Sequence, residues 1–380
     1  MTVSRLGVVG AGTMGSGIAQ LGCLGGLSVM LCDPDPHALA SGADRLQAGL
    51  AKGAGRGLWS MSIAASASGR LETTTTPERL AGCELVIEAA PEQLELKREL
   101  FASLAGICGP DAVLATNTSS LAVSDIAAAV PQPERVCGMH FFNPPPLMKL
   151  VEIVAGPDTG EEALARADEV ARSMRREPVR AADAPGFIVN RCNRPFSLEA
   201  LRMLGERVAG HAQIDAAIRE HGYKMGPFEL MDLIGIDVNL EVARSFYAQR
   251  AEPRWEPHPI QEEMVEAGRL GRKSGAGFYE YQGGRQVPPD LTRGYVGSPE
   301  AIFERIVAQL VNEASFAVEE GVATPADVDT AMRLGLNHPR GPFEWRDELG
   351  ASRLVAVLDD LAKRLDAQRY RVAPSLRELG

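Results

Sequence analysis

One histidine and one glutamate frame the chemistry open to this chain. In the stretch from Gly138 to Val154, GMHFFNPPPLMKLVEIV, His140 lies beside aromatic residues, an Asn and three prolines, and Glu152 falls within an apolar tail. Pro144 to Pro146 fix the backbone and remove three donors, so they belong neither to a helix interior nor to a central strand. The tail, LVEIV, is rich in β-branched residues and reads as a strand with Glu152 in its middle. A carboxylate there is costly unless paired, and His140 is the obvious partner. A rigid loop that holds a His against a carboxylate orients a general base. The other reading of these residues is a capped loop with a surface His.

The elements that must position this pair begin at the N-terminus. RLGVVG is a short apolar strand ending in Gly10-Ala11-Gly12-Thr13-Met14-Gly15, a helical stretch follows, and a second strand, LSVMLCD, ends in Asp33. Gly10 permits the tight turn, Gly12 lets the backbone approach a pyrophosphate, and Gly15 allows helix to pack on strand. Asp33 is placed to accept both ribose hydroxyls. Pro34-Asp35-Pro36 follows it rather than Arg, which favours NAD over NADP, because a 2′-phosphate would meet two carboxylates. Residues 53–69 read as a loop or a broken helical hairpin. Three further units follow: CELVIEAA with a helix opened by Pro91 and Glu92, AVLATNTSS with a helix, and the strand RVCGMHFFN. In an open parallel sheet, ligands bind outside the carboxyl ends of the strands, which sends Glu88 to Glu92, Asn117 to Ser120 and His140 to Asn143 to one edge. Asn117 and Ser120 also fit plain N-caps, and Glu92 with Lys97 fits a surface ion pair.

The formal charge of −11 has the wrong sign for nucleic acid or an anionic membrane, although local amides and a few cations still accommodate a phosphorylated ligand. Six scattered cysteines without a C-x-x-C pair read as reduced thiols rather than disulfides or a metal site. No apolar run reaches membrane-spanning length, and no signal-peptide pattern opens the chain. The expectation is a soluble cytoplasmic protein with no membrane and no nucleic-acid partner.

Beyond Pro185 the chain turns helical and repeats itself. MGPFELMDLIG at Met225 to Gly235 is mirrored by RGPFEWRDELG at Arg340 to Gly350, Asp215 parallels Asp329, and Glu199 parallels Glu313. The repeated GPFE fits a shared turn and cap better than two active sites. The expected architecture is an α/β Rossmann-type domain with a mainly parallel sheet over 1–183, then an all-α half of two repeated helical domains over 184–283 and 284–380, joined around Gln282 to Ser298.

GAGTMGSGIAQ, VIEAAPEQLELKRELF, TNTSSL, GMHFFNPPPLMKLVEIV, DAPGFIVNR and GRLGRKSGAGFYEY, in that order from about residue 5 to residue 281, resemble the 3-hydroxyacyl-CoA dehydrogenase family. The doubled helical half is similar to that of the longer bacterial 3-hydroxybutyryl-CoA or 3-hydroxyadipyl-CoA members. The resemblance implies NAD-dependent oxidation of a (S)-3-hydroxyacyl-CoA thioester in fatty-acid or aromatic-acid breakdown. It makes His140 the general base, Glu152 its orienting partner, and Ser119 and Asn190 hydrogen-bonding residues for substrate oxygens and the histidine's surroundings. Asp33, Glu92, Lys97, Asn117, Asn143 and Lys273 match positions that contact NAD. In single-copy members the helical domain makes a dimer interface, so the duplication implies an internal pseudo-dimer, with a further homo-oligomer open. One departure stands out: Leu58 and Trp59 occupy the segment where the family often carries a Lys near the CoA phosphates, and Arg56 or Lys52 are the available cations. Two other readings remain, a dehydrogenase of free hydroxy or sugar acids and a non-catalytic NAD-binding protein.

Overall fold

The computed structural model describes residues 3–287 and 297–380, and contacts divide the chain into one unit up to Phe187 and another from Ile188. In the first unit, β1 (Arg5–Val9) runs into α1 (Thr13–Leu24), β2 (Ser28–Cys32), α2 (Pro36–Gly55), α3 (Met61–Ser68) and β3 (Leu71–Thr74). The segment at 53–69 is thus a helical hairpin. Then come β4 (Leu85–Glu88), α4 (Leu94–Ile107), β5 (Val113–Thr116), α5 (Val123–Ala127), β6 (Val136–Phe141), β7 (Leu150–Ala155), α6 (Glu161–Ser173) and β8 (Glu177–Ala182). Helix α4 starts three residues after Pro91, because the Ala90 amide is turned onto Glu88 Oε1 at 2.7 Å instead of joining a helix.

The eight strands form one sheet in the order β3-β2-β1-β4-β5-β6-β7-β8. Every adjacent pair is parallel except β6 with β7. The exception has a cause in chain length. Residues 142–149 are too few for the dozen or so that a parallel crossover needs, so the chain must turn back on itself. The strands are buried along nearly their whole length, as expected of a sheet covered on both faces. All six cysteines are free and buried; burial pushes Cys23, Cys83 and Cys137 up to about 12.

The second unit contains α7 (Val189–Cys192), α8 (Arg194–Gly205), α9 (His211–Glu220), α10 (Pro227–Ile234), α11 (Ile236–Arg250) and α12 (Pro259–Glu266), then α13 (Pro299–Glu319), α14 (Pro325–Leu336), α15 (Pro342–Leu349), α16 (Ala351–Arg364) and α17 (Pro374–Glu378). Helix α13 is buried on every side from Ile302 to Ala317 except at Glu304, and packs on α7, α8, α9, α15 and α16. The connecting loop expected around Gln282 to Ser298 lies largely, over 288–296, outside the described residues.

The two GPFE segments take the same geometry. Gly226 N–H donates to Glu229 at 3.0 Å and Gly341 N–H to Glu344 at 2.8 Å, while Asp215 and Asp329 accept from Phe228 N at 2.9 Å and Phe343 N at 2.8 Å. Both helices end at a glycine of positive φ, Gly235 and Gly350. These residues shape turns and caps. Two sets of buried ion pairs tie α7 and α8 to α13. Arg191 Nε donates to Glu313 at 2.8 Å with both terminal nitrogens on Glu320 at 3.0 Å, and Arg305 Nε donates to Glu199 at 2.9 Å with its terminal nitrogens on Glu206 at 2.7 and 2.9 Å.

Candidate active site

The carboxyl ends of β1, β4, β5 and β6 lie on one edge of the sheet, since these strands are parallel and aligned in register. At β1 the chain turns through Gly10 (φ +97°), where a Cβ would lie 2.6 Å from the Ala89 carbonyl oxygen, so only glycine fits. Gly12 is exposed, and a Cβ there would meet nothing of the protein within 4 Å. Its openness leaves room for a ligand. Helix α1 has Gly12 as N-cap without any side-chain cap, so the first-turn amides of Thr13, Met14 and Gly15 face outward as an anion site. These features fit a dinucleotide pyrophosphate. Asp33 accepts from Ala11 N–H at 2.8 Å and from Asp35 N–H at 3.0 Å, so the acid also braces the turn. Asp35 caps α2 through His37 N–H at 2.8 Å.

At the ends of β4 and β5 lies a network of carboxylates and hydroxyls. Lys97 is 1% exposed and its Nζ contacts Glu88 Oε1 at 2.6 Å, Ala90 O at 3.4 Å and Glu92 Oε2 at 3.4 Å. It is a buried ammonium under the loop, and Glu92 precedes α4. Glu88 Oε2 accepts from Thr116 Oγ1 at 2.7 Å. Glu92 Oε1 gathers Thr118 Oγ1 at 2.6 Å, Ser119 N at 2.9 Å, Ser120 N at 3.1 Å and Ser120 Oγ at 3.0 Å. One carboxylate therefore shapes the whole TNTSS turn that carries Ser119. Asn117 Oδ1 accepts from Phe141 N–H at 2.9 Å, which ties β5 to the strand holding His140, and Asn143 is exposed just beyond that strand.

His140 and Glu152 are directly opposite in the antiparallel register of β6 and β7. Opposed residues share a face of the sheet, so the reversal after Phe141 is what brings the two side chains together. His140 Nδ1 lies 2.6 Å from Glu152 Oε2, with His140 6% exposed and Glu152 fully buried. The His140 ring packs on Phe142 at 4.5 Å and Phe187 at 5.8 Å between centroids. An ionised Glu152 only accepts, so Nδ1 turns a hydrogen toward it, and in the neutral ring Nε2 then keeps its lone pair. The proline loop that follows packs back on α1, with Pro145 Cγ 3.0 Å from where a Cβ on Gly17 would stand.

In the second unit, Asn190 lies on α7, and Lys273 pairs with both carboxylate oxygens of Asp237 at 2.6 Å.

Two family models match the chain. The NAD-binding domain of 3-hydroxyacyl-CoA dehydrogenase matches residues 5–184, and the C-terminal domain of 3-hydroxyacyl-CoA dehydrogenase matches 186–281 and 302–380. The chain belongs to the 3-hydroxyacyl-CoA dehydrogenase family. It is an NAD-dependent oxidoreductase. It is similar to the 3-hydroxyadipyl-CoA dehydrogenase of Escherichia coli K12, 36% identical over 100% of this chain and 98% of that protein. The 3-hydroxybutyryl-CoA dehydrogenase of Clostridioides difficile is 38% identical over 73% of this chain and 99% of its own length. Among solved structures, that of 3-hydroxybutyryl-CoA dehydrogenase from Escherichia coli K12 superposes with a TM-score of 0.92, at 36% identity, covering 100% of this chain and 98% of that one.

Several residues of this family member escaped the sequence reading. Arg45 Nη2 donates to Ala11 O at 2.5 Å, placing a cation at the glycine turn, yet the two are 34 positions apart and no local pattern marks the pair. Asp183 Oδ1 and Oδ2 accept from Val123 N at 2.9 Å and Ser124 N at 2.8 Å, capping α5. Phe187, in DAPGFIVNR, was overlooked as a wall of the histidine site. In the segment that lacks the family lysine, Leu58 is 59% exposed, the Trp59 indole N–H donates to Leu50 O at 2.9 Å, and Arg56 and Lys52 are exposed. No described helix is long and apolar enough to cross a membrane.

Burial opposes ionisation of Glu92, but the Thr118 hydroxyl, the Lys97 ammonium and the Ser119 amide outweigh it and hold the carboxyl below its usual range. A depressed carboxyl contributes stability above its unfolded value of 4.5 and loses it as pH falls through the folded value. A Glu92→Gln variant is therefore expected to melt below wild type at neutral pH, with the gap closing in acid. A gap that stays constant with pH would count against this assignment.

Proposed function

We propose that the chain oxidises (S)-3-hydroxyacyl-CoA to 3-oxoacyl-CoA in fatty-acid or aromatic-acid breakdown, with His140 as general base and Glu152 as its orienting partner. The observation that carries the reading is the buried 2.6 Å contact between His140 Nδ1 and Glu152 Oε2 at the edge where the glycine turn opens. NAD, when bound, supplies the hydride acceptor. His140 Nε2 takes the proton of the 3-hydroxyl as the C3–H bond breaks, and Glu152 stabilises the imidazolium that results. Phe142 and Phe187 keep water from the ring. Ser119, held by Glu92, and Asn190 hydrogen-bond the substrate oxygens. Gly10, Gly12, Thr13, Met14, Gly15 and Asp33 hold the dinucleotide, with Asn117, Asn143, Glu92 and Lys273 completing its contacts and Lys97 acting through Glu92.

The same reading makes the helical half two copies of one domain, 184–283 and 284–380, that form an internal pseudo-dimer. The reciprocal Arg191–Glu313 and Arg305–Glu199 pairs support it. The test of function is NADH consumption with acetoacetyl-CoA, with free acetoacetate as control. Turnover of the thioester alone is expected. Turnover of free acetoacetate alone would favour a hydroxy-acid dehydrogenase, and no turnover of either would leave a binding protein.

A further inference from the structure

Asn190 stands on a segment that has little structure of its own. Helix α7 is four residues long, carries no side-chain cap, and follows two residues in the left-handed region, Gly186 (φ +69°) and Phe187 (φ +50°). A phenylalanine there is held only if its surroundings impose the conformation. The surroundings of α7 are α13 and α14, both in the second repeat, with a lesser contact to α8. The anchor is the residue next to Asn190. Arg191 is fully buried, with Nε on Glu313 Oε1 at 2.8 Å and both terminal nitrogens on Glu320. Glu313 is 1% exposed, and its other oxygen accepts from Arg254 Nε at 2.7 Å and Trp255 Nε1 at 3.0 Å, so it is locked from two sides.

We propose that Glu313 of the second repeat is a positioning residue for Asn190, acting through Arg191 to set where the α7 turn holds the amide. The inference rests on the reading of Asn190 as a substrate-facing residue. The second repeat, which has Glu304 where the first has Asn190, thereby supplies the carboxylates that fix the α7 turn. The fold contains its own control. The image cluster, Arg305 on Glu199 and Glu206 with Tyr370 Oη on Glu199 at 3.1 Å, is equally buried, but the residue before Arg305 is Glu304, which pairs with Arg353. The same ionic knot is thus tied twice, once beside Asn190 and once beside a salt bridge.

The experiment compares Glu313→Gln with Glu199→Gln in the full chain, reading kcat, both KM values and thermal midpoint with NADH and acetoacetyl-CoA. Both variants are expected to lose midpoint together. Only Glu313→Gln is expected to lower kcat, by about ten- to hundredfold for a misplacement near 1 Å, with the KM of NADH unchanged. If either core variant fails to fold, Glu320→Gln against Glu206→Gln repeats the comparison at the outer carboxylates, which are 32% and 31% exposed. Equal kcat losses in the matched pair, or none in the variant on the Arg191 side, overturn the proposal. An Asn190→Ala variant with wild-type kcat overturns instead the reading of Asn190 beneath it, and the proposal with it.

Discussion

Replacing His140 by Gln is expected to lower kcat for acetoacetyl-CoA reduction by about 10²- to 10⁴-fold, the range that a positioned acid–base group contributes. The KM of NADH should move little, because the ring lies on β6 against Glu152, Phe142 and Phe187 rather than at the glycine turn. Glutamine keeps a polar group at the site and cannot exchange a proton near neutrality. Steady-state kinetics with a thermal melt of both proteins separates a chemical loss from a folding one. A variant of unchanged stability that keeps wild-type kcat would remove the imidazole from the mechanism. Glu152→Gln should also fall, by up to about 10⁴-fold, because an amide can donate to Nδ1 and hold the ring in the wrong tautomer.

The second large effect is on stability. Lys97→Met leaves Glu88 fully buried, with only the Thr116 hydroxyl and the Ala90 amide to solvate its charge. Breaking a buried pair from one side costs about 3–5 kcal/mol, whereas replacing both partners is close to neutral. A lowering of the thermal midpoint by roughly 10 °C is expected for Lys97→Met. Glu88→Gln combined with Lys97→Met should recover most of it. Scanning calorimetry of the two variants decides: a loss below about 1 kcal/mol would mean that the pair behaves like an exposed one. The same substitution should raise the KM for substrate, because Lys97 backs the Glu92 carboxylate that ties down the turn carrying Ser119.

What the sequence made legible was local. The glycine turn, Asp33 at the end of β2, and His140 with Glu152 each rest on spacing within a few dozen residues, where strand, turn and helix signals agree. The short proline loop even dictates the strand reversal that pairs His140 with Glu152. What stayed hidden involved partners set by three-dimensional packing. The alternative of a surface pair for Lys97 and Glu92 fails, because Glu88 on the neighbouring strand draws the ammonium inward and nothing in a helical pattern announces it. Pro91 looked like a helix start because the competing bond from Ala90 N–H to Glu88 has no sequence signature. Arg191 and Glu313 lie 122 residues apart, and nothing in the GPFE spacing marks the bond between them. The duplicated motif was recognised, and the contact it creates was not.

The six buried cysteines bear on the general reactivity of thiols toward thioesters. CoA thioesters are acyl donors, and a thiolate is the nucleophile that takes acyl groups from them. Cys137 sits on the same strand as His140, three residues away, with its thiol pushed up to about 12 by burial. At neutral pH the thiol form is strongly favoured there. Cys23 and Cys83 are held at a similar level. Burial keeps these groups as thiols, and the cysteines serve as small apolar packing groups.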